Sequence, residues 1–123
     1  MIKNPHLLIS AIIILPVGLM YGVDPSSILP SVFGFEVNDL ELKNIFRANM
    51  GLYFAMGGYW MLGAFKKQHW RSATMTNVLF MGGLAAGRLV SLILDGVSEQ
   101  YLWGMLAEVG LMVWGIYNLK NER

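Results

Sequence analysis

The sequence contains no cysteine and only two histidines among its 123 residues. The absence of cysteine excludes disulfide bonds, thiolate metal sites and cysteine nucleophiles, and it leaves the redox compartment open. His6 and His69 fall at the ends of apolar runs, where solvated histidines are ordinary, and neither has an acid or second histidine at ligand spacing. We therefore predict no metal site and no cofactor. A net charge of +1 without basic-aromatic interleaving argues against a nucleic-acid partner.

Charged residues are also scarce, at 14% of the chain, whereas apolar residues make up 55%. Soluble domains average about 25% charged and roughly 45 to 50% apolar residues. The composition therefore indicates an integral membrane protein, and the length fits a single domain, residues 1–123. Four apolar runs are each long enough to cross a bilayer of ~30 Å as a helix. They cover residues 6–23, 45–65, 73–94 and 101–119.

The only long connection, residues 24–44, carries four acids and a single lysine. Its apolar residues are too many for a free loop and too interrupted for a span, so we predict that it lies in the membrane interface. A short helix near 26–32, broken by Pro30, is expected in this connection. Asn38 or Asp39 is a candidate cap for the helix after it.

Lysine and arginine fall on one side of the membrane if the four spans alternate. Lys3 precedes the first span, Lys120 and Arg123 follow the fourth, and the second and third spans are joined by the basic turn KKQHWR. The opposite loops are acidic and hold only Lys43. The sequence therefore predicts an all-α four-helix bundle in a membrane, with both termini in the cytoplasm.

An arginine interrupts the apolar run of the third span, GGLAAGRLVSLILDG, residues 82–96. Arginine at the centre of a membrane helix costs roughly 2.5 to 3.5 kcal/mol on an insertion scale, so Arg88 needs a partner. Glu108 lies at a similar depth, because each residue is about seven positions, or ~10 Å, below the outer end of its helix. Gly104 and Gly115 share the face of Glu108 and allow close approach. We predict an ion pair between Arg88 and Glu108.

Helix dipoles suggest a second pairing. Arg47 sits at the electropositive N-terminal end of the second span and Asp95 at the electronegative C-terminal end of the third, so each charge is disfavoured where it lies. Placed together at the outer face, the two charges would compensate each other. Asn49, Tyr53 and Ser91 are candidate hydrogen-bonding neighbours.

Small residues mark particular helix faces. One face of the second span combines small residues in a pattern that predicts helix contact. Its members are Arg47, Gly51, Ala55, Gly58 and Leu62. Gly96 suits a left-handed end to the third helix. Glycine-lined faces on the second and fourth helices also leave room for a homo-oligomer or a partner membrane subunit.

The buried polar residues together form a predicted outward-facing group, which we call the polar cluster. Its members are Arg47, Asn49, Tyr53, Arg88, Ser91, Asp95 and Glu108. The cluster can be a structural ion network that fixes which helices meet. It can instead bind a small polar or lipid-headgroup ligand or anchor a partner subunit, since intramembrane ionisable residues usually face a cavity or pathway.

Two further alternatives stay open. Glu108 could serve as the protonatable carrier of a small transporter or channel, or the protein could be an intramembrane enzyme. We predict no catalytic residue and favour a non-enzymatic protein whose surroundings are membrane lipids.

The polar cluster falls in two short sequence elements. The first is R-A-N-x-G-x-Y, beginning at Arg47, and the second is G-R-x-x-S-x-x-x-D-G, beginning at Gly87 and followed by Glu108 in the last span. These elements resemble those of an uncharacterised bacterial family of small four-span membrane proteins. The resemblance covers nearly the whole chain. It implies a multi-pass protein of the bacterial inner membrane and supplies no activity.

Overall fold

A computed structural model describes residues 4–121, and this part of the chain is helical with no strand. Five α-helices follow one another, and a 3-10 turn, Lys67–His69, joins the third to the fourth. The helices are α1 (Pro5–Gly22), α2 (Pro25–Phe33), α3 (Leu40–Phe65), α4 (Trp70–Asp95) and α5 (Glu99–Asn121). The predicted all-α class is confirmed. Lys3 and Arg123, which contribute to the predicted orientation, lie outside the described residues.

Helix ends follow local capping chemistry. The Asn4 side-chain oxygen accepts a hydrogen bond from the Leu7 backbone N–H at 3.2 Å, which satisfies a free donor at the start of α1. Asp39 occupies the N-cap position of α3, but its side chain makes no capping bond. Gly96 ends α4 with φ +110° and ψ −178°. This conformation favours glycine, yet it is not the left-handed helical one that we predicted.

Proline does not break α2, contrary to prediction. Pro30 lies inside this nine-residue helix. A helical φ suits proline, so in a short helix the ring mainly removes one backbone donor. The helix ends instead at Gly34, which has φ +81° and donates its N–H to the carbonyls of Leu29 and Pro30, at 3.1 and 3.0 Å.

Two helix pairs make up the bundle. α1 packs mainly against α3 and α4 mainly against α5, while fewer contacts join one pair to the other. Glycine allows the close approaches. A Cβ at Gly57 of α3 would lie 2.8 Å from Ile14 Cγ2, and a Cβ at Gly115 of α5 would lie 2.7 Å from Val78 Cγ2.

The buried face of α3 is not the one that its small residues predicted. A Cβ at Gly51 or Gly58 would meet no atom within 4 Å, and Ala55 is exposed. The face that is buried contains Tyr53, Gly57, Trp60, Gly63 and Ala64. Aromatic side chains remove far more apolar area from contact with the surroundings than glycine does, and Trp60 is fully buried. The aromatic residues therefore orient α3.

The two ends of the bundle carry opposite charge. α1 and α4 begin, and α3 and α5 end, at what we call the basic end, where Arg71 Nη1 donates to the Leu119 carbonyl at 3.2 Å. Its basic residues are Lys66, Lys67, Arg71 and Lys120. At the opposite, acidic end, Gln100 Nε2 donates to the Phe33 carbonyl at 3.0 Å. Its acids are Asp24, Glu36, Asp39, Glu41, Asp95 and Glu99.

Three segments of the described chain are long and apolar enough to cross a membrane, namely Pro5–Gly22, Lys67–Asp95 and Glu99–Asn121. Large apolar side chains cover the outside of these helices, such as Leu79 at 68% exposure and Ile93 at 73%. α3 falls below the same hydropathy criterion because charged residues occupy its first turns and four glycines, two tyrosines and Asn49 follow them. A fourth span therefore stays a prediction.

Candidate ligand-binding site

A cavity of about 410 Å³ lies between the two helix pairs, toward the acidic end. All four long helices contribute to its wall: Tyr21 from α1, Asn49 and Tyr53 from α3, Arg88 from α4, and Tyr101 from α5. Its volume falls within the range of roughly 300 to 1,000 Å³ that is typical of small-molecule sites.

Glycines on α4 help to keep this cavity open. Gly83 and Gly87 both line it, and a Cβ at either position would meet no atom within 4 Å. They lie one turn apart, on the side of α4 that borders the cavity. Larger side chains at these positions would extend into the free volume. Gly96 and Ser98, in the connection between α4 and α5, extend the wall to the acidic end.

Arg88 is fixed at the cavity wall by Glu108. Its Nε donates to Glu108 Oε1 at 2.9 Å, and the two side chains are 23% and 11% exposed. The structure thus brings together the two residues that the sequence analysis paired. Arg88 lines the cavity and Glu108 does not. The carboxylate therefore supports the guanidinium from outside the cavity wall.

Tyr101 completes the surroundings of the guanidinium. The Arg88 Cζ lies 4.9 Å from the centre of the Tyr101 ring, within the range of a cation–π interaction. Phe33 of α2 stacks on the Tyr101 ring with centroids 5.6 Å apart and on the Tyr21 ring at 5.9 Å. The short helix α2 thereby covers the ends of α1 and α5 with an aromatic layer.

Sequence reasoning missed both of these tyrosines. Tyr101 precedes Glu108 by seven residues, which places the two on one helical face, and this spacing could have identified it. Tyr21 carries no comparable signal. Its role depends on contacts between helices, with Phe46 at 5.6 Å and Tyr53 at 5.8 Å between ring centroids.

Asn49, Tyr53 and Ser91 also line the cavity, beside Arg88. The Ser91 hydroxyl donates to Asp95 Oδ2 at 2.9 Å, one turn further along α4. Asp95 itself is not part of the wall. Four members of the polar cluster therefore meet at one cavity, and Glu108 contacts one of them.

The predicted pairing of Arg47 with Asp95 is wrong. Arg47 Nη1 donates instead to the carbonyls of Gly22 and Val23, at 2.9 and 3.2 Å. Carbonyls at the C-terminal end of a helix lack intrahelical partners and carry partial negative charge. Because α1 packs along α3, Arg47 reaches these carbonyls and ties the two helices together outside the cavity.

The structure also buries polar groups nearer the basic end. His6 is fully buried, with Nε2 2.8 Å from the Leu111 carbonyl oxygen, so the expectation of a solvated histidine is wrong. Asn77 is fully buried as well, and neither of its side-chain polar atoms has a hydrogen-bond partner among the described residues. Asn77 shares a helical stripe with Arg88 in the sequence, but the sequence analysis gave it no role of its own.

A model of a protein family described as a domain of unknown function, DUF4345, matches residues 2–119, nearly the whole chain. No curated protein and no solved structure is significantly similar to the chain. The match supports the resemblance to an uncharacterised family. The two sequence elements, the number of spans and a bacterial origin stay predictions.

Proposed function

Since this chain belongs to the DUF4345 family, whose function is unknown, we propose a role from its own residues: it is a small membrane protein that binds a ligand in the cavity around Arg88. The ligand is a small polar molecule or a lipid head group. The observation that carries this proposal is the cavity of about 410 Å³, whose wall combines one anchored guanidinium with hydroxyl, amide and apolar groups.

The chemistry of the wall limits what the ligand can be. Glu108 neutralises Arg88, so the pair attracts hydrogen-bond acceptors more than it attracts net negative charge. Tyr53, Asn49 and Ser91 add further groups that can donate. Apolar side chains complete the wall and could contact a hydrocarbon portion of the ligand. They include Phe46, Leu84, Leu92, Leu102 and Met105.

We further propose that α3 is a fourth membrane span and that both termini are cytoplasmic. With 26 residues, α3 is ~39 Å long at 1.5 Å per residue, which exceeds a hydrocarbon core of ~30 Å. The charge difference between the ends supports this orientation, because basic residues favour the cytoplasmic side. The cavity would then face outward, and the setting implied by the family resemblance is the bacterial inner membrane.

The ligand proposal can be tested by filling the cavity without touching the ion pair. Gly87→Leu places a side chain in the free volume, whereas Gly110→Leu is a matched control on α5, where a Cβ also meets no atom within 4 Å. Gly110 is exposed and does not line the cavity. The probes are a short-chain phosphatidylethanolamine and glycerophosphoethanolamine, its polar portion without acyl chains, and neither carries a net charge.

Thermal unfolding of the purified protein gives the readout. A ligand present at 100 times its Kd stabilises the folded state by about 2.7 kcal/mol. We expect a probe to raise the Tm of the wild type and of Gly110→Leu but not of Gly87→Leu. A shift with the lipid alone would identify a head-group site, and a shift with both probes a site for small polar molecules. Equal shifts in all three proteins, or none, would contradict the proposal.

A transporter or channel is the second candidate. The observation that favours it is a set of buried polar atoms without partners among the described residues, in Ser10, Asn77 and His6. Asn77 precedes Arg88 by eleven positions in α4, so these groups lie between the ion pair and the basic end. In this role Glu108 would carry a proton. Glu108→Gln would then abolish proton flux into liposomes, whereas the wild-type protein would support it.

Self-association or a partner subunit also stays a prediction. At the exposed Gly51 and Gly58 of α3, an added Cβ would meet no atom of residues 4–121 within 4 Å, so that face is free of the described part of the chain.

A further inference from the structure

A second pocket, of about 120 Å³, opens at the basic end, where α1 and α4 begin and α5 ends. Its wall contains two cations, Lys67 and Arg71, and no acid. At about 30 Å³ per water molecule, the volume corresponds to roughly four waters, which is room for a tetrahedral oxyanion. This pocket lies at the opposite end of the bundle from the cavity around Arg88.

The wall also contains a buried donor that lacks an acceptor. The Trp70 Nε1 is buried and has no hydrogen-bond partner among the described residues. An indole N–H can only donate, so leaving it unpaired inside the protein is unfavourable. Asn118, only 6% exposed, adds an amide to the same wall. An anion in the pocket can accept from the Asn118 amide, whereas the Trp70 Nε1 is enclosed by protein and lies behind the wall.

Bonds between helices hold this wall in place. Asn4 Nδ2 donates to Thr74 Oγ1 at 3.3 Å and links α1 to α4, while Arg71 Nη1 donates to the Leu119 carbonyl at 3.2 Å and links α4 to α5. Each of these four residues lines the pocket. A site whose groups are already fixed loses less conformational entropy when a ligand binds.

The start of α4 adds to the positive potential. His69 occupies the N-cap position of this 26-residue helix, and no side-chain hydrogen bond caps the helix. The Trp70 backbone N–H donates to the Lys67 carbonyl, and the next N–H groups lack acceptors within α4. The dipole of α4 places partial positive charge beside Lys67 and Arg71, and the last carbonyls of α5 place partial negative charge at the same pocket. The net positive charge of the pocket therefore comes from its two cations.

We propose that this basic-end pocket binds a phosphate group, with Arg71, Lys67 and the side-chain amide of Asn118 as its principal contacts. The phosphate belongs either to the head group of an anionic lipid in the adjacent leaflet or to a soluble phosphate. Both present the same acceptor oxygens, and arginine and lysine are common phosphate ligands. The inference concerns a different end of the bundle, so it does not depend on a ligand in the cavity around Arg88.

The Trp70 indole belongs to the wall of the pocket, so its NMR signal reports an anion bound beside it. The protein is labelled with ¹⁵N, reconstituted in phosphatidylcholine nanodiscs and followed by NMR, with the Trp70 signal assigned from Trp70→Phe. Inorganic phosphate is titrated in one series, and the fraction of phosphatidylglycerol is raised in the other. We expect a saturable shift of the Trp70 signal. The Trp60 indole, which already donates to Thr76 Oγ1 at 3.2 Å, should not move.

Matched charge variants distinguish binding in the pocket from general attraction to a basic surface. Lys67→Gln and Arg71→Gln remove lining cations, whereas Lys66→Gln and Lys120→Gln remove the same charge at the same end from residues outside the wall. A hydrogen bond to a charged group contributes more than general surface charge does, so the lining variants should weaken apparent binding about tenfold or more, and the control variants about fivefold or less. Asn118→Leu should also weaken binding without any change of charge.

The two titrations identify the source of the phosphate. A shift with inorganic phosphate supports a soluble ligand, and a shift only with phosphatidylglycerol supports a lipid head group. No saturable shift in either series would overturn the proposal. Equal weakening by the lining variants and by Lys66→Gln and Lys120→Gln would overturn it too, because it would mean attraction to surface charge without a site.

Discussion

Arg88 Nε lies 2.9 Å from Glu108 Oε1, and this contact joins α4 to α5 across twenty positions of the chain. The ring of Tyr101 lies against the same guanidinium, 4.9 Å from Cζ to the ring centre. The arginine is thus held from two sides while it remains part of the cavity wall. A structural clamp and a binding site both need this arrangement, but its removal would unfold the protein in the first case and abolish ligand binding in the second.

Removing one member of the Arg88–Glu108 pair should lower the free energy of unfolding more than removing both members. In Glu108→Leu, Arg88 loses its counter-charge at a site where its side chain is only 23% exposed. Losing one partner of a buried pair typically costs about 3 to 5 kcal/mol, and we expect the lower end because Arg88 is partly exposed. The double variant Arg88→Leu with Glu108→Leu should recover most of that loss.

Equilibrium unfolding of both single variants and the double variant in one detergent measures this difference. If the double variant were as unstable as Glu108→Leu, the contact would owe its effect to packing and not to charge.

Labelling of introduced cysteines tests the fourth span. The chain has no native cysteine, so the wild type is a control without background labelling. Glu36 precedes α3 and Lys66 follows it, and both are exposed. We expect a membrane-impermeant maleimide to label Glu36→Cys in intact cells and Lys66→Cys only after permeabilisation. Labelling of both positions from the same side would show that α3 does not span the membrane.

Glycine substitutions should fall into two classes. A Cβ at Gly63 would lie 2.5 Å from Ala73 Cβ, and at Gly115 it would lie 2.7 Å from Val78 Cγ2. Gly63→Ala and Gly115→Ala should therefore destabilise the protein by about 1 to 3 kcal/mol, as overpacking commonly does. Gly83→Ala has free space and should stabilise α4 by about 0.5 to 1 kcal/mol.

The Tm of each alanine variant, compared with that of the wild type, shows whether the substitution destabilises or stabilises the protein. A Gly115→Ala protein as stable as the wild type would mean that α5 does not approach α4 as closely as the structure indicates.

Arg47 and Asp95 should behave independently. Arg47→Ala removes a cation from the C-terminal end of α1 and should cost about 0.3 to 1 kcal/mol. Asp95→Ala removes the acceptor of the Ser91 hydroxyl at another place. A double-mutant cycle by thermal unfolding should give a coupling energy near zero. Significant coupling would restore the ion pair that the helix dipoles suggested.

The sequence predicted the features that are set within a single helix, and those set by how deep a residue lies along its helix. Helical class and approximate helix positions follow from the apolar runs, and the meeting of Arg88 with Glu108 follows from the cost of an isolated charge together with matched depth. Arg47 was misassigned because the dipole argument considered charge and depth but not which helices are neighbours. The exposed face of α3 was misassigned for a similar reason, since spacing identifies a face but not the helix that covers it.

The sequence by itself determined that the chain is helical, apolar on its outside and basic at one end, because composition and hydrophobic run length express these properties residue by residue. Only the tertiary structure decided that α1 pairs with α3 and α4 with α5. That arrangement brings Tyr21 and Tyr101 to the wall of one cavity, buries Trp60 in place of Gly58, and places Lys67, Arg71 and Trp70 around one pocket. Such relationships arise from side chains that fit together between helices, and no periodicity within one helix encodes them.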